Sequence, residues 1–126
     1  MRTDRATVGR KGEEEASSYL ARLGHRILAR NWRSGHLELD IISLLGSELH
    51  IVEVKTRSKM DTHFDPMKTI TSKKINNLVN ATNGYIRFYR LPMTVQYDVM
   101  IIIGTPPDFN IHYIPNAFRP PLKRIR

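Results

Sequence analysis

The 126-residue chain contains no cysteine. Disulfide bridges, thiolate zinc sites and cysteine nucleophiles are therefore excluded. No apolar run approaches the roughly 20 residues that cross a bilayer, and the N-terminus lacks the apolar core of a signal peptide. Glycine-rich phosphate loops, serine nucleophile elbows and paired metal-ligand histidines are absent too. We therefore expect a cytoplasmic protein that has no membrane contact.

Acidic residues are few. The chain has 12 Asp and Glu against 20 Lys and Arg, a formal net charge of +8. Basic domains commonly bind polyanions, and nucleic acid is the commonest soluble one; a generally basic protein without a specific partner is the alternative. The length predicts one domain over residues 1–126, with loose basic ends at about 1–7 and 119–126.

Hydrophobic periodicity predicts an α/β fold with a mixed sheet flanked by helices, in the order α-β-β-β-α-β-β. The first helix is expected from about Gly9 to Leu23, with Ala16, Tyr19, Leu20 and Leu23 on one face. The second begins after a cap at Thr71 or Ser72 and ends near Asn83. The predicted strands are His25–Arg33 at a sheet edge, Leu37–Leu45, Leu49–Arg57, Val95–Ile103 and Ile111–Ile114.

The second and third strands form a predicted hairpin with a tight turn at Gly46–Ser47. Because strand side chains alternate, Glu53 and Lys55 share one face of the third strand, and Val52 and Val54 share the other. If the charged faces of the two strands coincide, carboxylates from both strands and one ammonium meet on one patch.

Such a patch fits a divalent metal. Two carboxylates and a backbone carbonyl suit Mg²⁺, which usually keeps several waters and also binds substrate phosphate. A neighbouring lysine can orient a water and stabilise phosphate charge. Several acids within an otherwise basic protein would suit metal-assisted attack on a phosphodiester. The alternative is a solvated sheet face with a cross-strand ion pair.

The spacing of Asp40 from Glu53-Val54-Lys55 is similar to the signature of the PD-(D/E)xK nuclease superfamily. More closely, the chain resembles the YraN-like family of small bacterial proteins, which is assigned to that fold and regarded as nucleases without a settled role. One departure is Leu37, where the family often has glycine. The ordered match covers nearly the whole chain through Gly9, Gly12, Glu13, Ala16, Tyr19, Leu20, Asn31, Arg33, Glu38–Ile42, Val52–Arg57, Phe64, Pro66, Lys74, Ala81, Asp98 and Asn116–Phe118.

The resemblance implies a restriction-endonuclease-like core and a Mg²⁺-dependent nuclease, with Mn²⁺ as a substitute, that cleaves DNA such as branched or repair intermediates. Asp40, Glu53 and the carbonyl of Val54 would hold the metal. Lys55 would serve the attacking water, and Glu13 would assist. Composition alone explains the acidic run Glu13–Glu15 differently, since acids in the first turns of a helix stabilise its dipole.

Several basic residues are candidates for nucleic-acid contacts. Lys74 falls in the first turn of the second helix, where the dipole disfavours a cation, and this indicates an anion nearby. Trp32 could stack on nucleic acid or belong to the core. The candidate set is Arg33, Arg57, Lys74, Arg87, Arg90, Lys123 and Arg124, of which Arg87 and Arg90 flank Tyr89 in a basic-aromatic patch.

Two other functions fit the same residues. The chain could be a nucleic-acid-binding or partner-binding module that keeps the site without significant cleavage. It could also be a structural protein in which the region from Asp40 to Lys55 is an internal ion-pair network. Asp98 is not an obvious catalytic residue and is expected to pair with a basic neighbour.

Overall fold

The computed structural model describes residues 5–57, 65, 68, 70–105 and 107–120. Within them neither helix is long and apolar enough to cross a bilayer. The order α-β-β-β-α-β-β is confirmed. The elements are α1 (Arg5–Arg22), β1 (Arg26–Ser34), β2 (Leu37–Leu45), β3 (Glu48–Arg57), α2 (Ser72–Tyr89), β4 (Thr94–Thr105) and β5 (Asp108–Phe118).

The predicted mixed sheet is also confirmed. Its five strands follow one another in chain order, which places β1 at an edge as expected. β1–β2, β2–β3 and β4–β5 pair antiparallel, whereas β3 and β4 pair parallel. Parallel neighbours need a crossover connection, and the segment between β3 and β4 contains α2.

The two helices cover opposite faces of the sheet. Ala16 and Leu20 of α1 belong to a buried cluster with Val52. Leu78 and Tyr85 of α2 belong to another cluster, which contains Ile51. Adjacent residues of a strand point to opposite faces. Ile51 therefore packs on the side of α2, and Val52 packs on the side of α1.

The first helix differs from its prediction at both ends. α1 begins at Arg5, so Glu13, Glu14 and Glu15 lie in its interior and its first turn contains no acid. The explanation of these acids by the helix dipole is therefore wrong. Leu23, expected on the buried face, lies beyond the end of α1 and is 50% exposed.

The second helix is longer than predicted. Thr71 caps it as expected, because its Oγ1 accepts a hydrogen bond of 3.1 Å from the backbone N–H of Lys74. The predicted end at Asn83 is wrong, since α2 continues to Tyr89. Tyr85 is buried, and its ring centroid lies 5.4 Å from that of Trp32. Packing on the sheet thus outweighs the weak helix propensity of the asparagines and Gly84.

The last two strands are also longer than predicted. β4 reaches Thr105 and β5 begins at Asp108, and these two residues pair with each other. The sequence interpretation gave the whole of Gly104–Asn110 to a turn because it contains two prolines. Backbone pairing across the hairpin continues closer to its tip than that composition suggested.

Gly12 allows α1 to lie close to the sheet. A Cβ atom at this position would overlap the Cγ2 atom of Thr56 on β3. A Cβ atom added at Gly9, in the same helix, would meet nothing within 4 Å apart from its chain neighbours and the backbone of its own helix. The close approach of α1 to β3 therefore depends on the missing side chain at Gly12, which immediately precedes Glu13.

We expect Gly12→Ala to lower the free energy of unfolding by about 1–3 kcal/mol, because the added methyl group overpacks the contact with Thr56. Gly9→Ala is the matched control and should stabilise the protein by up to about 1 kcal/mol through helix propensity. Thr56→Ser removes the overlapping methyl group and should rescue Gly12→Ala. Urea denaturation measures wild type and these variants; equal effects of the two alanine substitutions would contradict the close contact.

Candidate active site

The candidate site lies where β2 and β3 separate. Their antiparallel ladder ends at the pair Ile41–Val52. Beyond that pair the Oδ2 atom of Asp40 accepts a hydrogen bond of 2.9 Å from the backbone N–H of Val54. A side chain of β2 therefore takes the place of a ladder partner, and it places a carboxylate in the gap between the strands.

Glu53 lies beside two lysines. Its Oε1 atom is 3.3 Å from Nζ of Lys55 and 3.1 Å from Nζ of Lys74. The Glu53 side chain is 5% exposed. Because water has little access to this carboxylate, the two ammonium groups stabilise its negative charge. The predicted alternation along β3 is confirmed, since Val54 packs with Val52 on the α1 side and Lys55 meets Glu53 on the other.

Glu13 approaches the site from α1. Its Oε2 atom accepts a hydrogen bond of 2.9 Å from Nδ2 of Asn31 on β1. Asn31 has a φ of 52°, a left-handed conformation that asparagine tolerates better than most residues. Its neighbours pair with the residues on either side of Asp40, so Asn31 lies opposite Asp40 in the β1–β2 register.

Sequence reasoning missed the contact between Asn31 and Glu13. One signal was present, because asparagine is depleted in strand interiors and this one stands inside a predicted strand. The left-handed backbone and the link to a helix distant in sequence could not be read from that signal.

The site crowds negative charge around Asp40. Burial raises the pKa of the Asp40 carboxyl to about 7, with the neighbouring charges of Glu53 and Glu13 acting in the same direction. The Val54 N–H and the Lys74 ammonium act in the opposite direction. The Asp40 carboxyl therefore interacts electrostatically with Glu13 of α1 and Lys74 of α2, although these helices lie on opposite faces of the sheet.

The residues present fit a hydrated divalent cation better than a cation enclosed by protein. In the described part of the chain no three His, Asp or Glu side chains are grouped to hold a metal ion. Mg²⁺ usually needs only one or two carboxylates, with waters and substrate phosphate as its other ligands. Asp40 and Glu53 meet that requirement, and a dication would offset both the burial and the neighbouring negative charges that raise the pKa of Asp40.

The basic candidates are distributed over several regions. Lys74 reaches the carboxylates of the site. Arg33 is exposed and lies 3.7 Å from Glu38 on the neighbouring strand, while the Nη1 of Arg57 donates a hydrogen bond to the carbonyl of Thr56 at the end of β3. Arg87 and Arg90 are exposed at the C-terminal end of α2. Lys123 and Arg124, with the matched Phe64 and Pro66, lie outside the described residues.

Asp98 belongs to a second polar cluster. It is fully buried, and its Oδ2 lies 2.7 Å from Nδ1 of His50 and accepts a hydrogen bond from the Tyr113 hydroxyl. Its Oδ1 accepts from Gln96 at 3.0 Å and from the backbone N–H of Asn116 at 2.8 Å. The expected basic partner is thus a histidine, and the carboxylate joins β3, β4 and β5.

The same cluster extends to His25, which follows α1. Its ring centroid lies 4.7 Å from that of His50, and its Nδ1 is 2.9 Å from Oγ of Ser43. Burial, with the neighbouring His50, lowers the pKa of His25, while burial and Asp98 raise the pKa of Tyr113. These shifts oppose charging of His25 and Tyr113, which suits a network that stabilises the fold.

The fold and site define a mixed α/β protein with a carboxylate–lysine centre between two separating strands. The chain belongs to the uncharacterised protein family UPF0102, whose model matches residues 12–102. The resemblance to YraN-like proteins is thereby confirmed.

Relatives in this family match most of the chain. A UPF0102 protein from Bacteroides fragilis is 44% identical over 116 residues, which cover 91% of this chain and 94% of that protein. One from Phocaeicola vulgatus is 39% identical over 115 residues, covering 90% and 93%. Among solved structures, the Holliday junction resolvase Hjc of Archaeoglobus fulgidus is similar with a TM-score of 0.46 and 16% identity, covering 85% of this chain and 76% of the resolvase.

We expect Asp40 to make the metal-free protein less stable as the pH rises. Its pKa of about 7 in the folded chain exceeds the ordinary value of 3.8. Between those values the folded chain retains a proton that the unfolded chain releases, so stability falls with increasing pH. Asp40→Asn removes this contribution while keeping an acceptor for the Val54 N–H.

Urea denaturation in the presence of a chelator, at several pH values between about 4 and 8, measures this effect as the difference between wild type and Asp40→Asn. The variant should gain stability relative to wild type as the pH rises. Glu38→Gln, which changes a more exposed carboxylate of the same strand, should follow wild type. Parallel pH profiles for wild type and Asp40→Asn would show that the Asp40 carboxyl is not crowded.

Proposed function

We propose that the protein is a metal-dependent nuclease that hydrolyses phosphodiester bonds in DNA. One observation carries the proposal: Asp40 of β2 and Glu53 of β3 share a site with Lys55 and with Lys74 of α2. β2 and β3 form one hairpin, whereas α2 follows later in the chain. Acids and lysines in that arrangement suit a cation and a phosphate bound side by side.

Asp40 and Glu53 are the proposed metal ligands, and the Val54 carbonyl is the third. The N–H and C=O of one residue point to the same side of a β-strand. Because the Val54 N–H donates to Asp40, its carbonyl is directed toward the same gap. Mg²⁺, or Mn²⁺ in its place, would supply a Lewis acid for a phosphodiester oxygen and favour deprotonation of water.

The remaining residues have separate proposed roles. Lys55 aligns the attacking water and neutralises charge that develops on the phosphate. Lys74 contacts Glu53 at 3.1 Å, and its ammonium group would bind a phosphate oxygen of the substrate beside the metal ligands. Glu13 is held by Asn31 and assists through the water around the site. Lys74 thus joins the candidate catalytic residues, although its sequence position indicated only an anion contact.

The absence of an all-protein metal cage in the described residues also suits the alternative, a binding module that does not cleave. The salt bridges from Lys55 and Lys74 to Glu53 likewise suit a structural ion-pair network. Metal affinity separates the network from the other two functions, and cleavage separates a nuclease from a binding module.

Substitutions at Asp40 and Lys55 test the proposal. Asp40→Asn should abolish metal binding, because a neutral amide is a poor ligand for a hard cation. Lys55→Ala should keep the metal. Either change should reduce cleavage at least ~100-fold, the scale seen when one positioned electrostatic group is removed. Calorimetric titration with Mn²⁺ and cleavage of branched, flapped, duplex and single-stranded DNA with Mg²⁺ and Mn²⁺ provide the measurements.

The controls are Lys11→Ala and Glu14→Gln, which change an exposed ion pair of α1. Both variants should bind metal and cleave DNA like wild type. A matched RNA panel establishes whether DNA is the preferred polymer. Cleavage that persists in both site variants would place the chemistry elsewhere. Wild type that binds Mn²⁺ and DNA but cleaves nothing would favour the binding module, and wild type without metal affinity would favour the ion-pair network.

The basic residues predict salt-dependent binding. If Arg87 and Arg90 each neutralise one phosphate, the double substitution to alanine should reduce the slope of log affinity against log salt by about two on duplex DNA. Fluorescence anisotropy in a chelator, at several salt concentrations, measures the slope. The reduction should be the same for unrelated DNA sequences, and an unchanged slope would remove both arginines from the binding surface.

A further inference from the structure

The outward face of α2 contains no acidic residue, nor does the rest of the helix. Five of its exposed positions recur every three or four residues and form one stripe. The stripe begins with the cation that precedes Lys74 in the chain and ends with another cation in the last turn of the helix. Its members are Lys73, Asn76, Asn80, Asn83 and Arg87.

Two aromatic side chains stand next to the end of this stripe. Phe88 is 75% exposed and Tyr89 is 51% exposed. Their ring centroids lie 4.8 Å apart, and the ring centroid of Tyr89 lies 4.8 Å from that of the buried Tyr85. Tyr85 in turn contacts Trp32. The exposed rings therefore rest on a continuous aromatic contact that reaches the core.

Arginines flank this pair. Arg87 precedes it, and Arg90 follows it in a left-handed conformation that ends the helix. Basic residues at a helix C-terminus are favoured by the dipole, which accounts for the arginines alone. The dipole explains neither the exposure of two adjacent rings nor the asparagine stripe, whose residues are poor helix formers. Exposed rings between cations are typical of surfaces that bind single-stranded nucleic acid.

We propose that the outward face of α2 binds a DNA strand and that Phe88 and Tyr89 stack on an unpaired base at its far end. Asparagine amides can hydrogen-bond phosphates and bases, and the cations at both ends attract the backbone. The inference deepens the proposed function and rests on it, because the proposed nuclease site fixes where the bound strand is cleaved. That site lies at the Lys74 end of α2, so the unpaired base lies at the opposite end.

The length of the helix specifies the substrate further. A rise of ~1.5 Å per residue places Phe88 about 21 Å along the axis from Lys74. That distance corresponds to about six base pairs, at ~3.4 Å of rise each along the axis of a DNA duplex. The preferred substrate class is therefore DNA with a single-stranded branch, flap or overhang, whose first unpaired base lies about six base pairs from the bond that is cleaved.

Binding of matched substrates tests the stacking pair. A blunt duplex and the same duplex with a single-stranded overhang are compared by anisotropy in a chelator, so that no cleavage occurs. Wild type should prefer the overhang. Phe88→Leu and Tyr89→Leu keep an apolar side chain but lose the ring, and each should weaken overhang binding about tenfold while leaving duplex binding nearly unchanged. Phe88→Trp should retain the preference.

A base analogue reports stacking directly. Wild type should quench the fluorescence of 2-aminopurine placed in the overhang, and Phe88→Leu should leave that fluorescence unchanged. Leu45→Ala changes an exposed apolar residue at the end of β2 and is the matched control, expected to bind like wild type. Circular dichroism shows whether each variant is folded. We expect Phe88→Leu to fold, because Phe88 is exposed.

The outcomes separate this inference from the proposed function. Overhang preference and quenching that survive in both leucine variants would overturn the stacking site. Leucine variants that change only the sedimentation coefficient would identify the patch as a contact between protein chains and would overturn it too, as would wild type that binds no DNA. Ring-dependent stacking without cleavage of any substrate would support the inference and overturn the proposed nuclease.

Discussion

The main physical constraint on the site is that Asp40 and Glu53 are held close together with little access to water. This arrangement costs electrostatic free energy. Burial and the neighbouring like charges both oppose ionisation, and they raise the pKa of Asp40. Lys55 and Lys74 offset part of this cost at Glu53. A region that holds repelling carboxylates in one place is suited to a cation, because the cation removes the repulsion that the fold imposes.

The scaffold brings the charges together through a break in regular pairing. Where the β2–β3 ladder ends, groups from both faces of the sheet can reach one point. Glu13 arrives from α1, which Gly12 allows to lie close to Thr56, and Lys74 arrives from the capped first turn of α2. A fully paired sheet would keep these two layers apart.

Asp98 shows how a buried acid differs when its role is structural. It is surrounded by donors from His50, Gln96, Tyr113 and the backbone of Asn116. Such a carboxylate has little capacity left for a cation. Asp40, by contrast, is held by a backbone N–H and faces other carboxylates. The same residue type therefore serves the fold in one place and a candidate site in the other, and the difference is in its partners.

Local patterns in the sequence determined the element order, the hairpin at Gly46 and the shared face of Glu53 and Lys55, because strand alternation and turn chemistry depend on near neighbours. The family resemblance singled out Asp40 and Glu13 but not their contacts. Only the tertiary structure decided that Lys74 meets Glu53, that Asn31 holds Glu13 and that α2 continues past Asn83 to present Phe88. These features depend on packing between segments distant in sequence, and no local periodicity encodes the register and separation of such segments.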